Sequence, residues 1–315
     1  MNEKDLITRI AALMPRDPSQ LNSVFGSDSE IVRGMLHSID EFSGEDHLFE
    51  RDPKLLGWNI AVGAMSDIRA SGGKPELFSM ALAAGPRFDA RYAEDFAAGV
   101  AEALRASGCA FVGGDFSRAK KEWRCCASVI GSAERPVTRV GARAGDTVYV
   151  TGAAGGGCVQ AAGRPHKFAL RELPAGCSAA IDTSDGFAAA AATLAWQSAC
   201  GLDLSGIPYL PEALDLCAKF RLPKEFLFFA ECGEYELLFT HPDPALAALH
   251  SPQKYFAIGR VVAGSGLRLE GRDVSEVAEI SARDFKSTFA YLWRLRKMIL
   301  NLAAKPRFND ESEDL

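Results

Sequence analysis

Residues 181–187 read "IDTSDGF". An apolar approach, Ala179-Ala180-Ile181, leads into them, and the helix-like run "AAAAATLAW" follows at 188–196. A strand, a sharp polar turn and a helix in that order form the grammar of an α/β or α+β protein. A helix start needs one capping oxygen, which either aspartate or Ser184 can supply. Asp182 and Asp185 together put two negative charges at one helix mouth, and Gly186 lets the backbone approach a ligand closely. Paired acids there suit a divalent cation as well as a cap.

Other aspartates sit in similar places. Asp40 closes "MLHSID", Asp67 lies in "GAMSDI", Asp115 in "VGGDFS" and Asp28 in "FGSDSE". Taken singly, each reads as a cap or turn former beside Gly or Ser. Asp46, Asp95 and Asp146 are expected to be only that, as surface or turn residues. Taken together, acids gathered from several strand ends would repel one another unless cations lay between them. Mg²⁺ prefers such hard oxygens and binds through a few carboxylates plus substrate phosphates. The set therefore points to an enzyme handling a nucleoside triphosphate. It is not a P-loop, because "TGAAGGG" at 151–157 has no following Lys, and the kinase H-R-D and D-F-G motifs are missing.

The 315 residues carry a formal net charge of −6 with 48% hydrophobic and 24% charged residues. That composition is globular, with no global attraction to nucleic acid or acidic membrane. The eight cysteines include no C-x-x-C pair, so a zinc knuckle is not expected and free thiols are the plain reading. No signal peptide or membrane span is expected, and a cytoplasmic location follows. The terminal helix "FAYLWRLRKMILNL" reads as an amphipathic face packed on the domain or on a second copy.

Along the chain, an amphipathic helix is expected over 1–14, with Leu6, Ile10 and Leu13 on one face. "IVRGMLHSID" reads as one strand ending in Asp40, and "DPKLLGWNIAVGAMSDIRASGG" as a helix opened by Pro53 and closed by Gly72-Gly73. "LFSMALAAG" reads as a buried strand, "ARYAEDFAAGVAEALRASG" as a helix with a glycine stop, and "AFVGGD" as a strand running into a turn. "RCCASVIGSAE", "ECGEYELLFT" and "YFAIGRVV" supply further strands, and a helix spans about 283–304. The Gly- and Ala-rich stretch from 151 marks a domain boundary, giving domains 1–150 and 151–304 and a solvated tail 305–315.

In order and spacing, these motifs resemble the thiamine-monophosphate kinase family. That family belongs to the ATP-binding superfamily that includes aminoimidazole ribonucleotide synthetase. The matching pieces are "GSD" at 26–28, "SID" at 38–40 with His47-Leu48-Phe49 after it, and "GWNIAVGAMSDIRASGGKPELF" at 57–78. They continue with "GGDFSR" at 113–118, "TRVGARAGDTVYVTG" at 138–152, "IDTSDGF", "EYELLF" at 234–239 and "AIGRV" at 257–261. The resemblance implies a two-domain aminoimidazole ribonucleotide synthetase-like fold, with an N-terminal α/β domain that forms a dimeric barrel with its partner copy and a C-terminal α+β domain. It implies ATP and several Mg²⁺ ions in a cleft shared with the partner, and transfer of the γ-phosphoryl group to thiamine monophosphate.

Residue by residue, the resemblance implies metal ligation by Asp28, Asp40, Asp67, Asp115, Asp182 and Asp185, with Ser38 near metal. It implies ATP contacts from Gly114, Asp115, Arg139 and Ser184, although the sequence leaves open whether Arg139 or Arg143 meets the nucleotide. His47, Glu234 and Phe285 fall at or near substrate-side positions. Four features depart from the family pattern. Ser27 stands where a second acid is usual, and "CGEYEL" replaces "GEDYEL", so that Glu234 occupies an aspartate position. The 153–180 segment is short, and the terminal "DFKSTFAYLWRL" matches only loosely. The competing readings are a relative acting on another acceptor and a non-catalytic nucleotide-binding homologue.

Overall fold

The computed structural model describes residues 3–44, 51–248 and 253–303. Its elements run α1 (Glu3–Ala11), β1 (Glu30–Val32), β2 (Met35–Ser43), α2 (Pro53–Ala70), β3 (Lys74–Ala84), α3 (Ala90–Ser107), β4 (Ala110–Arg118) and β5 (Arg124–Ser132). They continue with β6 (Thr147–Val150), α4 (Gly156–Ala161), β7 (Ala179–Asp182), α5 (Phe187–Gln197), β8 (Gly201–Leu204), α6 (Pro211–Phe220), α7 (Phe226–Phe229) and β9 (Leu237–His241). The last are β10 (Phe256–Val262), β11 (Gly266–Leu269), β12 (Arg272–Asp273), α8 (Ser275–Ala278) and α9 (Thr288–Ala303).

The strands form two sheets, ordered β1-β2-β5-β3-β4 and β12-β11-β8-β10-β6-β9-β7. The architecture is thus mixed α/β, and no closed barrel forms among the described residues. No described helix is long and apolar enough to cross a membrane.

The five-stranded sheet is covered on one face by α2 and α3. Asp52 caps α2 by accepting the Leu55 N–H at 3.0 Å, and Pro53 opens the first turn, where its missing N–H does no harm. Apolar residues on every side of α2 bury it between the sheet, α3 and β7. Ile60, Met65, Phe78 and Phe96 fill the space beneath. The other face stays open and apolar, with Ile39 63% and Met35 45% exposed.

Three expected elements differ. "IVRGMLHSID" is a hairpin, not one strand. Arg33 and Gly34 both take positive φ, +51° and +75°, as a two-residue loop of primed type requires. Asp40 therefore lies inside β2. "AFVGGD" does not turn at its glycines: Val112 is the extra residue of a bulge, and β4 stays paired with β3 as far as Arg118. β3 is half-buried, not fully buried, since Phe78 and Leu82 face the core while Leu77 and Ala81 are exposed. Asp146 does sit in a turn, accepting the Arg143 N–H at 3.0 Å, but it is buried rather than on the surface.

The seven-stranded sheet packs against α5, α7 and α9 through Val148, Phe187, Leu194, Phe228, Leu238 and Leu295. The segment before β7 lies along α2. Trp58 Nε1 donates to the Phe168 carbonyl at 2.8 Å, and Asn59 bonds both the His166 carbonyl and the Phe168 N–H at 2.9 Å. Arg69 pairs with Glu172 further along the helix. This line of contacts fixes β7, and so Asp182, beside Asp67.

Candidate active site

Four acids far apart in sequence meet between the two sheets. Asp28 comes from the loop before β1, Asp40 from the inner face of β2, Asp67 from α2 and Asp182 from the end of β7. Asp28, Asp67 and Asp182 each offer an oxygen, and these oxygens lie within 4.8 Å of one another. Asp40 joins them electrostatically. Burial, reinforced by Asp182 and Asp28, lifts its carboxyl to about 7. Burial and then the charges of Asp40, Asp182 and Asp28 push Asp67 well above the usual carboxylate range. Asp182 rises to about 6 through burial and Asp28, held back by hydrogen bonds from Ser66 and Ser184 and by Arg139.

The expected ATP residue Arg139 stands inside this group, its Nη2 2.7 Å from Asp28 Oδ1, whereas Arg143 is exposed. One guanidinium among four acids leaves excess negative charge. Four hard carboxylate groups that resist ionising together fit one or more Mg²⁺ ions, whose charge would let them ionise. Ser184 donates its hydroxyl to Asp182 Oδ1 at 2.8 Å, so it is next to the acids as expected. Ser38 is buried on β2 two residues from Asp40, with its hydroxyl 3.4 Å from the Ala64 carbonyl of α2.

Other expected site residues lie apart. Asp185 is exposed at the start of α5, with Arg283 Nη2 3.9 Å from its Oδ1. Gly114 and Asp115 are exposed on edge strand β4, separated from β2 by β5 and β3, or about 14 Å at ordinary strand spacing. The glycine at 114 has a packing cause, because a Cβ there would lie 1.8 Å from the Met80 carbonyl oxygen.

Glu234 is buried below the glycine loop, accepting the Gly155 N–H at 2.7 Å and the Gly157 N–H at 3.2 Å. Burial still pushes its carboxyl up to about 8. Phe285 packs against the second core, its ring 5.9 Å from that of Tyr291. The turn before it is held by Glu231, which accepts from the Ser281 hydroxyl at 2.9 Å and from the Ala282 N–H. His47, with Leu48 and Phe49, lies outside the described residues.

Two neighbours of the acids escape the sequence reading. Ser66 donates to Asp182 Oδ2. It stands next to Asp67 on α2 and both reach Asp182, but a serine inside an apolar helix run is no ligand signal in the sequence. Tyr235 takes φ +53° and lies half-buried beside the cluster, where desolvation and then Asp182 and Asp40 drive its phenol well above its ordinary value. Its place directly after Glu234 in "EYELLF" was the available clue. Gly186 fits the turn for a plain reason: at φ +89°, a Cβ would lie 2.4 Å from the Ala230 carbonyl oxygen.

Residues 26–133 match the family model described as "AIR synthase related protein, N-terminal domain". Over 251 residues the chain is 30% identical to the thiamine-monophosphate kinase of Aquifex aeolicus, covering 70% of this chain and 79% of that protein. The chain belongs to the thiamine-monophosphate kinase family. Its similarity to the family member from Halobacterium salinarum is 28% over 290 residues, covering 86% of this chain and 96% of the other. Among solved family structures, "AaThiL complexed with AMPPCP and TMP" superposes with a TM-score of 0.68 at 25% identity, over 86% of this chain and 93% of that one. The family membership thus spans both sheets, beyond the residues of the N-terminal match.

Proposed function

We propose that this protein phosphorylates thiamine monophosphate to thiamine diphosphate with ATP. The observation that carries the reading is the convergence of Asp28, Asp67 and Asp182, their oxygens within 4.8 Å, beside Arg139. The family members named as thiamine-monophosphate kinases and the AaThiL complex with AMPPCP and TMP support the same chemistry.

Asp28, Asp40, Asp67 and Asp182 would hold Mg²⁺, with Ser38 and Asp185 at its margins. When bound, Mg²⁺ neutralises triphosphate charge and aligns the γ-phosphoryl group for in-line transfer. The chain's own groups position and desolvate. Ser66 and Ser184 fix both oxygens of Asp182, and Arg139 fixes Asp28. The acceptor phosphate is already ionised near neutral pH, so orientation serves in place of a strong general base. Glu234, Phe285 and His47 belong to the acceptor side in this reading.

The two sheets act as two domains, with the acids between them; because β6 (Thr147–Val150) lies inside the seven-stranded sheet, the boundary falls between Ser132 and Thr147 and not at 150 as the sequence suggested. The open apolar face around Ile39 and Leu77 suits a second copy, closing a barrel from two sheets in a homodimer. Gly114 and Asp115, on the exposed edge strand, would then meet ATP in a cleft shared with the partner. A location in the cytoplasm, with no nucleic-acid or membrane partner, fits the acidic chain.

The test is formation of thiamine diphosphate from thiamine monophosphate, ATP and Mg²⁺ by the purified protein, followed by chromatography. Product that vanishes with chelator and in Asp182→Asn supports the reading. ATP consumption on another phosphorylated acceptor alone would transfer the assignment to a relative, and no ATP binding would leave only a scaffold.

A further inference from the structure

The altered "CGEYEL" motif brings a second feature with it. Cys232 opens this motif, and its thiol lies 4.0 Å from that of Cys158 on α4, the two oriented as an S–H···S pair. The backbones around them are closely packed. A Cβ on Gly157 would lie 2.6 Å from Cys232 Cβ and 2.7 Å from the Gly233 carbonyl oxygen. Both thiols are half-buried, while Cys109, Cys125, Cys200 and Cys217 are buried.

We propose that Cys158 and Cys232 form a reversible intramolecular disulfide that ties the glycine loop to the loop carrying Glu234. The second half of this inference, a restraint on the acceptor side, rests on the kinase reading; the cross-link itself does not.

The two sulfurs need to close from van der Waals distance to bonding distance, a movement within reach of side-chain rotation. Their environment favours Cys232 as the attacking sulfur. The hydrogen bond from Cys158 holds the Cys232 thiol below its ordinary value, while burial pushes Cys125 and Cys177 up to about 12. The oxidant is a peroxide. The Cys232 thiolate attacks one peroxide oxygen and breaks the O–O bond, giving a sulfenic acid and hydroxide, which takes the thiol's proton to become water. Cys158 sulfur then attacks the sulfenic sulfur, the S–O bond breaks, and a second water leaves with the Cys158 proton. In sum, two thiols lose two protons and two electrons, and one peroxide becomes two waters. A dithiol reductant restores the pair by exchange.

Glu234 lies two residues after Cys232 and accepts two N–H bonds from the same glycine loop that leads into Cys158. The cross-link would therefore hold both sides of that contact in one arrangement. In the oxidised protein the expected change is a severalfold rise in KM for the acceptor, with KM for ATP unchanged.

The experiment treats the reduced full chain with equimolar hydrogen peroxide and maps disulfides by mass spectrometry of unreduced peptides. A linked peptide pair containing Cys158 and Cys232, lost on adding dithiothreitol, is the expected result. In Cys158→Ser the expected product is a Cys232 sulfenic acid trapped by dimedone. A different cysteine pairing, or oxidation that leaves these two peptides unlinked, overturns the proposal, and this is read on the unsubstituted protein. Kinetics before and after oxidation decide the consequence: an unchanged acceptor KM in fully cross-linked enzyme overturns the restraint. Failure of the kinase reading shows itself separately, as no thiamine diphosphate from the reduced protein while the cross-link still forms.

Discussion

Arg139 Nη2 lies 2.7 Å from Asp28 Oδ1, and the Asp28 side chain is only 1% exposed. The Asp28 side chain is thus buried and Arg139 half-buried, and the guanidinium also lowers Asp67 and Asp182. Removing one partner of such a pair strands the other. Arg139→Met is therefore expected to destabilise the metal-free protein by roughly 3 kcal/mol. Mg²⁺ should recover more stability in the variant than in the parent, because the acids have lost their cation. Urea denaturation with and without Mg²⁺ measures both. A loss within experimental error would mean that Asp28 is held by something else.

The raised carboxyls give a pH dependence with a definite sign. Asp40 at about 7 and Asp182 at about 6 both lie above the 3.8 of an ordinary aspartate. The folded state thus binds protons that the unfolded state releases. Their contribution to stability is full below about pH 4 and is lost as pH rises through the two folded values. In chelator, the melting temperature should fall between mildly acidic and mildly alkaline pH, and Mg²⁺ should flatten that slope. Asp67→Asn should be more stable than the parent in chelator above neutral pH, by about 1 kcal/mol, yet gain less from Mg²⁺. A flat metal-free profile would contradict the acid cluster.

Much of this site was legible in the sequence because its acids sit in local patterns that survive translation into structure. The "IDTSDGF" turn did put Asp182 at a strand end and Gly186 at a helix start. Pro53 and the Gly108 stop bounded their helices as expected, Gly108 at φ +66°. What escaped was set by tertiary contact. Arg33-Gly34 folds back only because both residues adopt the left-handed region, and an arginine there is no turn signal by composition. Ser66 and Tyr235 reach the acids from α2 and from the loop before β9, a convergence that no spacing rule encodes. Asp115 resembles the other acids in its local pattern, yet the sheet order places it on an edge strand three strands from Asp40.

Glu234 offers a second pH test that is separate from the metal ligands. Its carboxyl is raised to about 8 from 4.5 by burial, against the pull of the Gly155 and Gly157 amides. The group therefore contributes stability that is full below about pH 4.5 and is lost as pH climbs through 8. Glu234→Gln abolishes this titration and offers one acceptor where the carboxyl offers two, so one glycine amide goes unpaired. The variant should be less stable than the parent near pH 5 by about 1–2 kcal/mol, and the gap should narrow as pH rises toward 8 and level off above it. Thermal melts of both proteins across that range decide it, and a gap independent of pH would refute the raised carboxyl.

Gly114 and Asp115 separate packing from ligand binding on a single strand. Met80 and Gly114 are register partners in the parallel β3–β4 pair, and a Cβ at 114 would lie 1.8 Å from the Met80 carbonyl oxygen. The obstruction is backbone, which cannot swing aside, so Gly114→Ala must push β4 away from β3. A destabilisation of about 2–3 kcal/mol is expected, whatever the ligand. Asp115 is exposed next to it. Asp115→Asn should leave stability within about 0.5 kcal/mol and raise KM for ATP severalfold. Urea denaturation and ATP titration on both variants read these effects apart. If Asp115→Asn left nucleotide use untouched, β4 would serve the sheet and the second copy, with no part in holding ATP.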